Sequence, residues 1–352
     1  MEIVLTEPPH ESLTAPLQRF CWPCAGDEGM AGAAATPIIW DRLTEVAPDR
    51  TVPRPVCFAW EPVPAEGVRY DLQVATAPSF AGARCLAGLT EPHAEVWHLH
   101  LGTRYYWRVT AMQAGQVLGI SPTWAFTTHQ APPRWIHVPG MTNVRDMGGW
   151  PLRDGGQVRQ GLIYRTSEMN SHLQITEEGK RVLLEELGIR TDVDLRGAQS
   201  REGADVERAW PALDTQRVRW VHLPTRPYAA IREESPYGQP AYRAFFRLLA
   251  DPAHYPLIFH CWGGADRVGT LAFLLGALLG MRLDHLIMDY EFTSLSVWGP
   301  RSRASAEFTG LMHALNAYGD PGDIQSQVEG YLCDIGVTQE EMAAIREQLV
   351  DG

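Results

Sequence analysis

Apolar and polar positions follow two different periods along this chain, and the change of period divides it. Over residues 53–128 short runs alternate with period two: VCFAW at 56–60, YDLQVA at 70–75, YYWRVTA at 105–111 and SPTWAFTT at 121–128. Alternation of this kind, broken by Gly, Pro and Asp turn signals, predicts half-buried strands of an all-β sandwich. IVLT at 3–6 predicts a first strand, and 27–35 reads as a small-residue loop. Further on the pattern becomes helical and strand-like by turns. Thr176 is a candidate N-cap for a helix over 177–187 that stops at Gly188. Strands over 189–195 and 218–223, a helix over 241–249, and a buried strand, PLIF at 256–259, follow. TLAFLLGALL at 270–279 predicts a buried helix. The rest reads as helical, with a capping box from Thr338 to Glu341 opening a last helix through Leu349. Strands alternating with helices predict an α/β domain on a mostly parallel sheet. QAPPR at 130–134 marks a short linker stiffened by proline, so the domains are expected at 1–131 and 132–352.

Composition narrows the class. The 352 residues are enough for two cores. Thirty basic against 42 acidic residues give a formal charge of −12, which argues against nucleic-acid binding and against general attraction to anionic membranes. The most apolar stretch, 268–281, is too short to span a bilayer, so no integral membrane segment is expected. The start lacks the basic-then-apolar pattern of a secretory leader. Arg226, Arg232, Arg243, Arg301 and Arg303 read as solvated surface charges, each a candidate for a phosphate's vicinity. Six cysteines are sparse for a disulfide scaffold. Cys21 and Cys24 have redox-motif spacing, but they precede any βαβ pattern and no second CxxC completes a zinc site. No metal and no organic cofactor is expected.

The chemistry lies in HCWGGADRVG at 260–269, between the predicted buried strand and buried helix. A strand, a tight loop and a helix start form an anion site from inward amides and the helix dipole. Cys261 stands at the strand end, and loop amides, helix N-terminus and Arg267 all favour its thiolate. Arg267 can hold two phosphate oxygens bidentately. Gly263 and Gly264 let the backbone turn without a Cβ in the way. Sulfur attacking phosphorus gives a cysteinyl-phosphate that water then hydrolyses. His260, Trp262, Gly263, Gly264, Ala265 and Val268 are expected around the bound phosphate, with His260 orienting the loop from behind.

Three further segments accompany the loop in order: NVRDMGGW at 143–150 with DGG at 154–156 and GLIYRTS at 161–167; DVDLR at 192–196 running on to Glu202; and DYEFT at 289–293. Together, over about residues 135 to 349, they resemble the bacterial tyrosine-phosphatase-like family of cysteine-based phosphatases, whose loop reads HCxxGxDRTG. The resemblance implies a bacterial hydrolase of phosphomonoesters that dephosphorylates phosphotyrosine or a broader set of phosphoproteins, without metal. Sparse cysteines and a catalytic thiolate favour a reducing, cytoplasmic compartment; a longer true N-terminus would make secretion the alternative. Residues 53–128 resemble a fibronectin type III sandwich. Trp60 stands where that fold has a core tryptophan, and Leu99, Gly102, Thr103 and Tyr105 match its tyrosine corner. Its role is either docking of a substrate or partner, or structural support packed against the enzyme.

The chain departs from the family pattern at informative places. Val268 replaces a Thr or Ser whose hydroxyl stabilises the departing thiolate, so slow phosphoenzyme breakdown is expected unless Thr270 or another donor substitutes. Ala265 stands where phosphoinositide-active relatives carry Lys. Between Pro224 and Gln239, where many tyrosine phosphatases hold an acid on a mobile loop, the chain offers Glu233 and Glu234 but no Asp. Asp266 is therefore the first choice as general acid, with loop bracing as its other reading. Asp194 could reach the same face or pair with Arg196. Arg145 and Asp146 either line the site or pair with each other. The segment 228–242 suits a lid or an ordinary surface loop. Two alternatives stand beside a protein phosphatase acting on a phosphoprotein or a small phosphomonoester. One is hydrolysis of inositol phosphates or phosphoinositides. The other is a phosphate-binding pseudophosphatase acting as an adaptor.

Overall fold

The computed structural model describes residues 3–18, 49–197 and 209–351. Cys21, Cys24, the loop expected over 27–35 and Glu202 lie outside the described residues. The chain divides into two compact units, one holding 3–18 with 53–132, the other holding 49–52 with 133–197 and 209–351. The break after residue 132 lies one residue from the expected linker boundary. Residues 49–52, however, belong with the second unit, because the Thr51 hydroxyl accepts the Asn143 backbone N–H at 3.1 Å.

The first unit contains β1 (Leu5–Glu7), β2 (Ser12–Leu13), β3 (Val56–Trp60), β4 (Arg69–Ala75), β5 (Arg84–Leu89), β6 (His93–Val96), β7 (Arg104–Gln113), β8 (Gln116–Ile120) and β9 (Trp124–Thr127). One sheet runs β1-β3-β6 and the other β2-β9-β7-β4-β5, with β8 on β7. Period-two burial decides their faces. Val56, Phe58 and Trp60 from the first sheet share one core with Tyr70, Leu72, Val74, Trp107, Val109 and Phe126 from the second. Two sheets closing one core in this way form a sandwich. Trp60 meets Tyr70 edge-on at 5.3 Å, and the Tyr105 hydroxyl accepts the His100 N–H at 2.9 Å.

The second unit is α/β. Its strands are β10 (Arg134–Trp135), β11 (Arg145–Asp146), β12 (Gln157–Val158), β13 (Ile163–Thr166), β14 (Thr191–Asp194), β15 (Arg219–His222), β16 (Leu257–His260) and β17 (Val350–Asp351). Its helices are α1 (Glu177–Arg181), α2 (Gln239–Leu249), α3 (Asp266–Leu278), α4 (Leu283–Glu291), α5 (Ala306–Leu315), α6 (Ile324–Asp334) and α7 (Gln339–Leu349). The main sheet has the order β10-β11-β13-β16-β14-β15. Strands β13, β16, β14 and β15 run parallel, while β10 and β11 add an antiparallel edge. Strand β16 is fully buried between two parallel neighbours, which is why it reads as an unbroken apolar run. Its C-terminal end delivers the HCWGGADRVG loop to α3, which is buried along nearly its whole length.

Local signals set several boundaries. Thr176 caps α1 by accepting the Gly179 N–H, and Thr338 with Glu341 closes the capping box of α7. The helix expected over 177–187 is α-helical only to Arg181 and continues as a π-helical turn, Val182–Glu186. The run after α3 is interrupted by a 3-10 turn, Phe292–Leu295, and by the loop 296–305 before α5. Among the described residues, no helix is long and apolar enough to cross a membrane.

Candidate active site

The loop between β16 and α3 is shaped from behind by its own carbonyls. The Asn143 side-chain amide donates to the Gly263 carbonyl at 3.0 Å and to that of Gly264 at 3.2 Å. Arg165 Nη2 donates to the Gly264 carbonyl at 2.9 Å, and the Glu168 N–H donates to that of Trp262 at 2.8 Å. A trans peptide points its N–H opposite its C=O. Holding these carbonyls from behind therefore turns the amides of Gly263, Gly264 and Ala265 to the other side. No side chain caps α3, since Ala265 at its N-cap carries no oxygen. Its first-turn amides are left for an anion. Gly264 sits at φ +64, and a Cβ there would lie 2.5 Å from the Thr166 carbonyl oxygen. Only glycine lets the loop pass that close to β13. Cys261 is 2 % exposed, and Arg267 lies in the first turn of α3.

The braces are themselves braced. Arg145 Nε donates to Asp289 Oδ1 at 2.7 Å and its Nη2 to the Asp289 carbonyl at 2.6 Å. Arg145 also holds Asn143 Oδ1, and Arg165 pairs with Asp289 Oδ2. Asn143 adopts φ +59, a conformation its side-chain bonds stabilise. Burial alone would raise the Asp289 carboxyl, but the two guanidinium groups outweigh it and hold it below the usual carboxylate range. Arg145, expected at the phosphate or beside Asp146, is instead fully buried beneath the loop. Asp146 pairs with Arg134 at 2.5 Å and accepts the N–H groups of Gly148 and Gly161.

A second charged cluster lies behind the cysteine. His260 Nε2 is 3.2 Å from Asp192 Oδ1 and 3.9 Å from Asp194 Oδ2, with all three side chains at most 2 % exposed. Burial disfavours the imidazolium, yet the two carboxylates win and raise His260 above its ordinary value. Asp194 accepts both Arg196 Nε at 2.9 Å and Nη2 at 2.7 Å. Burial pushes its carboxyl up, but His260 and Arg196 together hold it low. Asp194 thus lies in a buried ion pair rather than at the cleft surface, because β14 carries it directly beside His260.

Asp266 occupies the cleft wall, fully engaged. Arg301 donates Nε to Oδ1 at 2.9 Å and Nη2 to Oδ2 at 3.0 Å. The Tyr228 hydroxyl also donates to Oδ1 and lies 2.9 Å from the Tyr290 hydroxyl. Burial, and then Asp266, push the Tyr228 phenol well above its ordinary value. Asp266, Arg267 and Arg301 line a cleft of about 860 Å³ with Arg226, Tyr228 and Tyr290. Cys261 is not part of that lining; it is buried directly after β16. Val268 is fully buried. The Thr270 hydroxyl donates to the Asp266 carbonyl at 2.8 Å and accepts the Tyr228 N–H at 3.0 Å. Its bonds tie the helix to the 3-10 turn Tyr228–Arg232, so Thr270 does not take the place of a hydroxyl at 268. Trp262 stacks on His172 at 4.2 Å and meets Trp298 edge-on at 6.2 Å. Trp298 covers Gly263, where a Cβ would stand 3.1 Å from its Cγ.

Some members of this constellation escaped the sequence reading. Arg301, by sequence a solvated charge or a candidate for the phosphate's vicinity, is 35 positions from its partner Asp266, a separation no local pattern reveals. The supporting roles of Asn143, Arg165 and Asp289 were signalled only by their place in the accompanying motifs. Trp298 and Thr51 gave no signal.

Comparison with known proteins agrees with the motifs. Residues 136–351 match the model of the tyrosine phosphatase family. A Cupriavidus necator protein named as a tyrosine-protein phosphatase is 31 % identical over 173 residues, 43 % of this chain and 59 % of that protein. The chain thus spans less than two thirds of that relative's length. A tyrosine-protein phosphatase of Nostoc commune is 23 % identical over 210 residues, 49 % of this chain and 70 % of its own. Among solved structures, the core catalytic domain of the PP-IP phosphatase SIW14 from S. cerevisiae is similar at 15 % identity and a TM-score of 0.30, covering 51 % of this chain and 86 % of that one. The chain belongs to the tyrosine phosphatase family.

Proposed function

We propose that this member of the tyrosine phosphatase family hydrolyses phosphomonoesters through a cysteinyl-phosphate, with phosphotyrosyl protein as the substrate class. The observation that carries the reading is the strand–loop–helix itself. Cys261 ends β16, Arg267 opens α3, and the intervening carbonyls are held from behind. In the first step a Cys261 S–P bond forms as the ester P–O bond breaks, and the leaving oxygen takes a proton. In the second, water adds to phosphorus and the thiolate departs. Arg267 and the loop amides follow the charge on the equatorial oxygens. Asp266 is the proton donor, provided its pair with Arg301 opens. His260 holds the loop from behind, while Trp262, Gly263, Gly264, Ala265 and Val268 shape it. Arg145 and Asp194 act through their ion pairs, and no metal takes part.

Ala265, with no cation to add at the loop floor, disfavours inositol lipids. A second reading, a phosphate-binding protein of very slow turnover, draws on buried Val268 and the engagement of Thr270 elsewhere. The first unit we read as a fibronectin type III-like domain, on its two-sheet core, Trp60 and the Tyr105 corner. Every residue lining the cleft belongs to the second unit. The test is rapid-mixing hydrolysis of p-nitrophenyl phosphate with chelator present. The enzyme turns over and Cys261→Ser does not. No product above the level of Cys261→Ser from folded protein refutes the enzymatic reading.

A further inference from the structure

The Asp266–Arg301 pair poses a chemical problem for a phosphatase that uses Asp266 as its acid. Both carboxylate oxygens accept from one guanidinium, at 2.9 and 3.0 Å, and Oδ1 accepts from Tyr228 as well. A carboxylate held this way is an acceptor on every side and presents no proton to a leaving oxygen. The pair is nonetheless within a ligand's reach. Arg301 is 23 % and Asp266 40 % exposed, and both line the cleft that also contains Arg267. The Arg301 backbone is anchored separately, its N–H donating to Ser294 Oγ at 2.9 Å. The guanidinium can therefore change partner without moving the chain.

We propose that Arg301 is a specificity-determining residue that withholds Asp266 until a second anionic group on the substrate takes its place. This rests on the phosphatase reading above and names the substrate class: phosphotyrosyl peptides with an acidic side chain beside the phosphotyrosine. A carboxylate entering the cleft offers Arg301 the same bidentate geometry that Asp266 does. Exchange replaces one bidentate carboxylate with another at the same guanidinium, so the bonds lost to Asp266 are regained with the substrate. Asp266, released, takes a proton from solvent water and gives it to the tyrosyl oxygen as the P–O bond breaks and the S–P bond forms. The space fits such a ligand. At about 860 Å³ the cleft is far larger than a phosphate group needs. Arg226, which also lines the cleft, pairs with Glu233 at 3.2 Å with both side chains 42 % exposed and lies 5.9 Å from the Tyr237 ring; its exposed guanidinium can turn to a further acidic residue. An inositol polyphosphate would carry the second charge too. The formal charge of −12 and Ala265 in place of a cation favour the peptide over a densely charged ligand.

The experiment compares two phosphotyrosyl peptides, one flanked by Glu and one by Gln, with p-nitrophenyl phosphate and inositol hexakisphosphate alongside. The wild type is expected to prefer the Glu peptide by roughly tenfold in kcat/KM, much of it in kcat, a fraction of the about 100-fold a positioned acid contributes. In Arg301→Gln the preference collapses to about twofold or less, and p-nitrophenyl phosphate is hydrolysed faster, because Asp266 keeps only its bond from Tyr228 and loses the bidentate guanidinium. Arg301→Lys, which keeps the charge without the fork, falls between and guards against a misfolded Gln variant. Equal rates on the two peptides in the wild type, or an undiminished preference in folded Arg301→Gln, overturn the proposal. Inositol hexakisphosphate hydrolysed faster than the Glu peptide overturns the peptide as its substrate. Cys261-dependent hydrolysis of p-nitrophenyl phosphate without peptide preference sinks only this inference, whereas no hydrolysis of any substrate sinks the phosphatase reading beneath it.

Discussion

Asp289 is the charge on which the loop's support converges, and Asp289→Asn is the most informative single perturbation of the fold. Its two oxygens serve two guanidinium groups, Arg145 Nε at 2.7 Å and Arg165 through Nη1, with exposures of 6 %, 0 % and 0 %. The substitution keeps the shape, removes the charge and turns one acceptor into an amide donor aimed at a cation. Two buried guanidinium groups then face each other without an anion between them. Removing one partner of a buried pair costs about 3–5 kcal/mol. Arg145 retains Asn143 Oδ1 and the residue-289 carbonyl, and Arg165 retains the Gly264 carbonyl, which places the loss at the lower end, about 3 kcal/mol. For a unit of this size that lowers Tm by roughly 6–12 °C. Calorimetry of the full chain follows the second unit's transition separately from the sandwich's. Asp284→Asn, which breaks the exposed pair with Arg282, is the control and is expected to cost under about 1 kcal/mol. Acid gives a second check. The Asp289 carboxyl is lower in the folded than in the unfolded chain, because Arg145 and Arg165 outweigh burial. Its contribution is complete above the unfolded value of about 3.9 and lost as pH falls through the folded one, so the gap to the variant closes below about pH 4. A Tm drop of less than about 2 °C at pH 7 would show that the two arginines are held by something other than Asp289.

Three further expectations follow from the same geometry. Asp192→Asn removes one of the carboxylates that raise His260 against its burial; the stabilisation of the charged pair is complete below about pH 6.5 and lost as pH rises through the raised folded value. Tm measured from pH 5 to 9 should therefore show a deficit at low pH that shrinks at high pH, and a deficit independent of pH refutes the assignment. Val268→Thr places a hydroxyl beside the loop and is expected to shrink any phosphoenzyme burst by speeding its breakdown, at a stability cost of about 1–3 kcal/mol for a buried hydroxyl; a burst of unchanged amplitude counts against the role given to residue 268. Gly264→Ala puts a Cβ 2.5 Å from the Thr166 carbonyl at φ +64, so it should lose about 1–3 kcal/mol and most turnover; wild-type kcat would contradict the loop geometry.

What the sequence by itself determined is local. The apolar run before Cys261 and the one after Arg267 made a strand and a helix legible, because burial on all sides leaves no polar face. Thr176 and Thr338 announced their helix starts through side chains that bond amides three residues on. Period two made the strands that carry Trp60 and Tyr105 legible. The parallel sheet was legible from the alternation of elements, though not its order or its antiparallel edge, which depend on pairings between distant strands. Only the tertiary structure decided the partners of the charges. Arg145 could have met its neighbour Asp146 or the phosphate, and instead finds Asp289, 144 positions away. Asp266 could have been a free acid, and instead is held by Arg301. A guanidinium's partner is settled by which carboxylates share its buried or half-buried space, and that space exists only once β11, β13, α3 and α4 have packed.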